Sequence, residues 1–167
     1  MLDRILQSLN SDQILPVKDT EGAVLVIAGA GSGKTRVLTS RIAYLVLGKG
    51  VPCYRIAAIT FTNKAAGEMR DRVETMLGGA LGGVWVATFH STCVRILRRY
   101  IDRIGFGTNF TIYDGDDQKT IIKEICKRFQ IDTKLYRERF FMAAISAAKD
   151  ELLSPDDYAK QVHGDTR

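Results

Sequence analysis

A lysine followed by a threonine closes a glycine-rich run, and no other part of the sequence suggests its chemistry so directly. The run extends from Ala28 to Thr35 and reads Ala-Gly-Ala-Gly-Ser-Gly-Lys-Thr. Its glycines allow the backbone to turn tightly and to point N–H groups at phosphate oxygens. Lys34 is expected to reach the β- and γ-phosphates of a nucleotide, and the Thr35 hydroxyl is expected to bind Mg²⁺. The run is therefore predicted to be a phosphate-binding loop.

The pattern departs from the usual phosphate loop at its first position, where Ala28 stands in place of glycine. The departure is minor, because phosphate chemistry directly requires only the last glycine, the lysine and the hydroxyl. The alternative is a glycine-rich turn that binds nothing. We predict that the phosphate-binding residues are Ala28, Gly29, Ala30, Gly31, Ser32, Gly33, Lys34 and Thr35.

The flanking segments are those that such a loop requires. Residues 23–27 read Ala-Val-Leu-Val-Ile, which predicts a strand buried on both faces. Apolar residues at helical spacing follow the loop, so that a helix is predicted from about Gly33 to a stop at Gly48. The positive end of this helix dipole would face the phosphates.

Strand and helix patterns then alternate along the chain. Strands are predicted at 56–60 and 84–88, and helices at about 64–77 and 91–104, with a flexible glycine-rich loop at 78–83. Such alternation implies crossover connections and a parallel sheet. The fold class is therefore predicted to be α/β, a parallel sheet with flanking helices that carries the phosphate loop of a P-loop NTPase.

After about Asp114 the pattern becomes wholly helical, with predicted helices at 116–129 and 137–149 and a further start at Ser154-Pro155. We therefore place a domain boundary there, with an α/β part at 1–114 and a helical insertion at 115–167. The acids at 114–117 follow a strand-like run, but they serve better as helix caps than as catalytic groups.

The composition is that of an ordinary globular chain, with 167 residues and a formal net charge of +5. This mild excess of positive charge permits a polyanionic partner without requiring one. Cys53, Cys93 and Cys126 are scattered, which suits buried thiols in a reducing, cytoplasmic setting. A signal peptide and a membrane span are not expected, because apolar runs are short.

Three further segments determine the kind of phosphate-loop protein. Leu9–Gln13 precedes the first predicted strand, Ile59–Ala66 follows the second, and Ala87–Ser91 follows the third. In this order and spacing around the loop, they resemble the superfamily 1A DNA helicases of the UvrD/Rep/PcrA type. The resemblance implies that the parallel sheet is RecA-like and that the helical part is an insertion. The stretches Cys93–Arg99 and Ile145–Lys149 are most similar to its PcrA branch.

The resemblance assigns roles to three residues around the nucleotide. It implies that the Gln13 amide reads the adenine edge, since one amide can donate to N7 and accept from the exocyclic amine. It also places Arg36 against the nucleotide, and Arg70 near it. Pro16 departs from expectation, because proline should interrupt the helix around Gln13.

Two loops are expected, by the same resemblance, to contact single-stranded DNA. Phe61 would stack on bases, although a core position at a strand end is the alternative, and Asn63 could instead cap the next helix. The arginines at 95–103 form either a solvated helix face or contacts to phosphate. The predicted DNA-binding residues are Thr60, Phe61, Thr62, Asn63, Lys64, Thr88, Phe89 and His90.

The resemblance implies an ATP- and Mg²⁺-dependent 3′-to-5′ helicase of DNA repair and replication that acts on single strands and on single-strand/duplex junctions. The acidic Mg²⁺ motif and the second RecA-like domain of such motors are not found in these 167 residues. The chain alone is therefore expected to be inactive. Two other hypotheses stay open at this point: a small-molecule P-loop kinase and a non-catalytic nucleotide-binding module.

Overall fold

A computed structural model describes residues 1–79 and 83–164 of the chain. Its contacts divide the chain into two compact units, Met1–Thr108 and Asn109–Arg167, and each is treated by itself. The predicted loop at 78–83 lies partly outside the described residues.

The first unit is a mixed α/β structure. Its α-helices are α1 (Leu2–Gln7), α2 (Ser11–Lys18), α3 (Lys34–Leu47), α4 (Asn63–Leu77) and α5 (Phe89–Tyr100), with short 3-10 helices at Cys53–Arg55 and Ile101–Ile104. The helix after the glycine-rich loop is confirmed, with Gly33 as its N-cap and Gly48 as its C-cap. Asn63 does not cap α4; the Thr62 hydroxyl does, by accepting from the Ala65 N–H at 3.1 Å.

Two strands, β1 (Ala57–Thr60) and β2 (Trp85–Thr88), form a parallel pair in which Thr60 lies opposite Thr88. Both strands were predicted to within one residue, and their parallel pairing is confirmed. Helix α4 connects them and buries Met69, Val73 and Leu77 in the core of the unit. The segments that leave the carboxyl ends of the strands, residues 61–62 before α4 and the first turn of α5 directly after β2, therefore start side by side.

The predicted strand at 23–27 is not formed among the described residues. Leu25 and Ile27 are 85% and 90% exposed, and the segment pairs with neither β1 nor β2. An apolar, β-branched run favours extended backbone, but burial on both faces requires a strand on each side. The sheet of the first unit has two strands in the described residues, so a larger RecA-like sheet is not seen here.

Pro16 does not interrupt α2, contrary to expectation. It lies inside the helix, where a proline removes only one hydrogen bond of the ladder. The guanidinium of Arg41 on α3 donates to the carbonyls of Pro16 and Asp19, and so satisfies carbonyl groups at the end of α2. This contact joins the helix that carries Gln13 to the helix that follows the loop.

Helix α5 is shorter than predicted. Its apolar stripe is only half-buried at Val94, Leu97 and Ile101, and Ile104 is exposed at 66%. The chain tightens into a 3-10 turn from Ile101, where Gly105 in the left-handed region ends it. With little core on this face, the last turn adopts the tighter geometry common at helix ends.

The second unit is helical, as predicted. It contains α6 (Gly115–Arg128), α7 (Glu138–Asp150) and α8 (Pro155–Gly164). The Asp114 carboxylate caps α6 by accepting from the Asp116 and Asp117 N–H groups, both at 2.9 Å. These acids are therefore held as helix caps, in agreement with the sequence-based interpretation.

The cysteines are not all buried, contrary to the prediction. Cys126 is buried in α6 and Cys53 is partly buried, but Cys93 lies exposed on α5. Within the described ranges, no helix combines the length and the apolar character needed to cross a bilayer.

Candidate phosphate- and nucleic-acid-binding site

The loop from Ala28 to Thr35 turns sharply into α3 in a way that only glycine tolerates without strain. Gly31 and Gly33 have φ values of 75° and 86°, in the left-handed region. The Ser32 hydroxyl donates to the Gly29 carbonyl at 2.8 Å and closes the turn. Gly33 has no side chain to cap α3, so the first-turn N–H groups are left for an external acceptor.

Lys34 folds back over the loop. Its ammonium group donates to the carbonyl oxygens of Ala28 and Gly29 at 3.1 and 2.8 Å. The loop thus holds a positive charge at its centre beside the positive end of the α3 dipole. Both features fit a phosphate chain, and the exposed Thr35 hydroxyl on the same turn is an oxygen ligand of the kind that Mg²⁺ prefers.

Gln13 lies against this loop, although 19 residues separate it from Ser32. Its amide nitrogen donates to the Ser32 carbonyl at 2.9 Å, and its amide oxygen accepts from the Asn10 N–H at 3.3 Å. The Asn10 side chain in turn accepts from the Gln13 N–H at 2.8 Å, which completes a capping box at the start of α2. The spacing Asn-x-x-Gln carries the signal for this box, and sequence reasoning overlooked it.

The amide of Gln13 still has capacity for a ligand. An amide group offers two N–H donors and two lone pairs on its oxygen. The bond to Ser32 uses one donor and the bond from Asn10 uses one lone pair, so one of each remains. A pocket of about 310 Å³ opens beside it, lined in part by Asp12, Ala28, Ser32 and Lys34. The predicted nucleotide residues Gln13 and Lys34 therefore meet at one cavity.

The two predicted nucleotide arginines have different surroundings. Arg36 is exposed on the first turn of α3, next to Thr35. Arg70 on α4 donates to the Val86 carbonyl at 2.8 Å and so joins the helix to strand β2. This bond gives Arg70 a clear structural role, while its predicted role near the nucleotide stays a prediction.

The two predicted DNA-binding segments are adjacent because β1 and β2 are parallel and end in register at Thr60 and Thr88. The prediction of a loop after β2 is wrong, because α5 begins directly at Phe89 and holds Phe89 and His90 in its first turn. Both threonines are buried and work locally. The Thr60 hydroxyl donates to the Thr62 carbonyl at 3.0 Å, and Thr88 caps α5 by accepting from the Ser91 N–H at 3.2 Å. The two threonines fix the start of each segment, and the exposed members of the predicted set follow them along the chain.

Phe61 and Phe89 form an exposed aromatic pair at these strand ends. Their ring centroids are 5.5 Å apart with the planes tilted by 45°. Phe61 is 89% exposed and Phe89 49% exposed, so the alternative that Phe61 is a core residue is wrong. Asn63, Lys64 and His90 are exposed beside the pair. Exposed rings flanked by polar and basic groups are suited to stacking on unpaired bases.

The structure adds contacts that sequence reasoning did not find on α5. Arg95 lies over the Trp85 ring at 4.5 Å from its centroid. Arg99 and Arg103 lie over the ring of Tyr100 at 5.5 and 5.0 Å. Arg95 and Arg99 have the spacing of one face of α5, and Arg103 follows in the 3-10 turn, but their aromatic partners could not be inferred from the sequence.

A glycine loop that enters a helix N-terminus, with a lysine at its centre, defines the class of phosphate-loop proteins. Within this class the assignment is specific. Residues 9–167 match the family model for the UvrD/REP helicase N-terminal domain, and the chain belongs to that family.

Two curated relatives share about half of their aligned residues with the chain. The chain is 52% identical over 162 residues to the ATP-dependent DNA helicase PcrA of Staphylococcus epidermidis, covering 97% of this chain and 22% of that protein. It is 52% identical over 160 residues to the PcrA helicase of Staphylococcus aureus, covering 96% and 22%. The chain therefore spans 22% of the length of these curated relatives.

Proposed function

We propose that the chain is the N-terminal, ATP-binding part of an ATP-dependent DNA helicase that moves 3′ to 5′ along single-stranded DNA in repair and replication. One observation carries the proposal: a single compact unit bears both a phosphate loop around Lys34 and an exposed aromatic pair, Phe61 and Phe89. A translocating motor needs to hold nucleotide and nucleic acid on the same body. A cytoplasmic location and action at single-strand/duplex junctions belong to the same proposal.

The domain assignment follows from this function. Residues 1–114 would be the incomplete RecA-like domain 1A, and 115–167 the start of the helical subdomain 1B. In the longer parent, the segment 23–27 would join the sheet between strands supplied by the rest of the chain. This accounts for its apolar, β-branched composition together with the exposure of Leu25 and Ile27.

The nucleotide roles are divided among a few side chains. Lys34 would exchange its bonds with the Ala28 and Gly29 carbonyls for the β- and γ-phosphates, with the loop N–H groups adding further donors. Thr35 would ligand Mg²⁺, and Gln13 would read adenine with its remaining donor and acceptor. Arg36, and Arg70 to a lesser degree, would lie beside the nucleotide. Bound Mg²⁺ would supply charge neutralisation at the phosphates.

The DNA roles are assigned to the segment after β1 and to the first turn of α5 after β2. Phe61 and Phe89 would stack on bases, and Asn63, Lys64 and His90 would contact the backbone beside them. Stacking tolerates any sequence, because every base has a π-face. Thr60, Thr62 and Thr88 would hold these segments in position through the hydrogen bonds described above.

Binding of a labelled oligothymidylate, measured by fluorescence anisotropy, tests the DNA part of this proposal. Phe61→Ala should weaken binding by about 5- to 150-fold, which corresponds to the loss of about 1–3 kcal/mol of stacking on one base. Tyr54→Ala is the matched control, because Tyr54 is also an exposed aromatic residue of the first unit, at 76%. Equal binding by the parent and Phe61→Ala would remove the assignment.

Hydrolysis should require more than these residues. A motor of this class needs an acidic Mg²⁺ partner, a base for the attacking water and an arginine from a second RecA-like domain. We propose that the 167-residue chain alone hydrolyses no ATP and unwinds no duplex. DNA-stimulated turnover by the purified chain would contradict this. The family match favours this function over a metabolite kinase or a non-catalytic nucleotide-binding module.

A further inference from the structure

Positive charge is concentrated on one short part of the first unit. The segment 89–104, which comprises α5 and the 3-10 turn after it, contains four arginines and a single acid, Asp102. Its formal charge of +3 is more than half of the +5 carried by the whole chain. Three of these arginines, Arg95, Arg99 and Arg103, share i, i+4 spacing and are exposed. Together these three side chains form the arginine face.

The arginine face is held in place by aromatic rings rather than by carboxylates. Arg95 lies over Trp85, and Arg99 and Arg103 both lie over Tyr100. The two ion pairs formed by described residues, Lys123–Glu138 and Lys160–Asp157, involve none of the three. A guanidinium stacked on a ring keeps its N–H groups in its own plane, where they can still reach an acceptor.

A different explanation for these arginines is compensation of the helix dipole. Cations are favourable in the last turn of a helix, which accounts for Arg98 and Arg99. It does not account for Arg95, which lies nearer the middle of α5, or for its position over Trp85. Preorganised cations with open N–H groups are instead typical of phosphate recognition.

The position of the arginine face relative to the aromatic pair indicates which polyanion would bind. Helix α5 begins at Phe89, so at about 1.5 Å per residue Arg95 and Arg99 lie roughly 9 and 15 Å farther along the same helix. Bases can stack on Phe61 and Phe89 only if they are unpaired. We propose that the arginine face binds the phosphate backbone of the same single strand whose bases stack on the aromatic pair, so that α5 extends the DNA path.

This inference rests on the proposed DNA function and deepens it. Its test measures the anisotropy of labelled oligothymidylates of about 4 and about 12 nucleotides across a series of salt concentrations. The variant carries Arg95→Gln, Arg99→Gln and Arg103→Gln. Its matched control carries three substitutions at exposed arginines elsewhere in the unit, Arg4→Gln, Arg55→Gln and Arg72→Gln, so that both lose three charges.

The arginine-face variant should bind the longer strand at least about tenfold more weakly than the control does. Its slope of log affinity against log salt should be smaller by about 2, because each single-strand phosphate contact contributes about 0.7. The shorter strand, which can contact fewer of the three arginines at once, should distinguish the two variants less. Equal slopes for the two variants on the longer strand would overturn the inference.

A second variant guards against misfolding of the triple substitution. Arg99→Gln with Arg103→Gln leaves the Arg95–Trp85 contact intact and should lower the slope by about 1.4. An unchanged slope in this variant would also overturn the inference.

Other results separate the inference from the proposed function. If the parent binds neither oligonucleotide, both fall. If Phe61→Ala weakens binding while the arginine variants behave like the control, the inference alone falls. Tighter, arginine-dependent binding of a duplex or of a polyglutamate peptide would reject the single strand as the partner of the arginine face.

Discussion

Replacing Gly33 with alanine should destabilise the first unit through two separable effects. The φ of 86° at this position is in the left-handed region, where a Cβ costs about 1–2 kcal/mol. An added Cβ would also lie 2.7 Å from the Gln13 amide nitrogen. The amide would have to move, at the expense of its hydrogen bond to Ser32, which contributes about 0.5–1.5 kcal/mol. The expected total is about 1.5–3.5 kcal/mol.

Two other glycines of the same loop provide matched controls. Gly31 has a φ of 75° but open space around its Cβ position, so Gly31→Ala should show only the backbone cost of about 1–2 kcal/mol. Gly29 has neither a positive φ nor a neighbour within 4 Å, so Gly29→Ala should be close to neutral. All three share the same effect of alanine on the unfolded chain, which cancels in the comparison.

The assay is urea unfolding followed by the fluorescence of Trp85, the only tryptophan, which lies in β2 of the same unit. Gly33→Ala should be measured in the parent and in a Gln13→Ala background. In that background its cost should fall to that of Gly31→Ala, since the amide that it displaces is gone. The reasoning is refuted if Gly33→Ala and Gly31→Ala cost the same in the parent, or if removing Gln13 leaves the difference intact.

Three further expectations concern the supports of the two units. Arg70→Met should lower the free energy of unfolding of the first unit by about 1–2 kcal/mol, because the buried Val86 carbonyl loses its donor. Asp114→Ala should lower the free energy of unfolding of the second unit by about 1–2 kcal/mol, because α6 loses its N-terminal cap. The Ser154 hydroxyl, and then Lys160, hold the pKa of Asp157 below its ordinary value of 3.8, so Ser154→Ala should raise this pKa in an NMR titration.

Each of these has a control and a contrary result. Arg72→Met removes an exposed arginine of α4 and should be nearly silent; an equal loss in both variants would contradict the role of Arg70. Glu124→Ala, in the exposed middle of α6, should leave stability unchanged, unlike Asp114→Ala. For Asp157 the depressed pKa means that its contribution is present above the ordinary value and lost as the pH falls through the lowered one. An unchanged Asp157 pKa in Ser154→Ala would show that the Ser154 hydroxyl is not what lowers this pKa.

Local patterns predicted most of the first unit. The alternation of apolar runs and helical spacing located β1, α4 and β2 to within one residue, since each element buries its own stripe against the same core. The run at 23–27 shows the limit of such patterns. Its residues specify extended backbone, but whether Leu25 and Ile27 are buried depends on neighbouring strands that no local pattern describes.

Contacts between residues that are distant along the chain could not be predicted from the sequence either. The bond from Gln13 to Ser32 spans 19 residues, and the Arg95–Trp85 contact joins a helix to a strand. Only the folded chain brings these groups together. By contrast, the parallel orientation of β1 and β2 followed from the predicted crossover, whereas the register that aligns Thr60 with Thr88 is seen only in the folded chain.

The central claim is that the loop around Lys34 binds the phosphates of ATP, and equilibrium titration of the purified chain with Mg²⁺ and ATP in a calorimeter tests it most directly. The account predicts saturable binding that Lys34→Ala weakens at least about tenfold. This factor corresponds to the loss of one charge-assisted hydrogen bond, which contributes about 1.5–3 kcal/mol. Lys49→Ala, which removes another exposed lysine of the same unit, should bind like the parent. Binding that is equal in all three proteins, or no binding by the parent, would contradict the account.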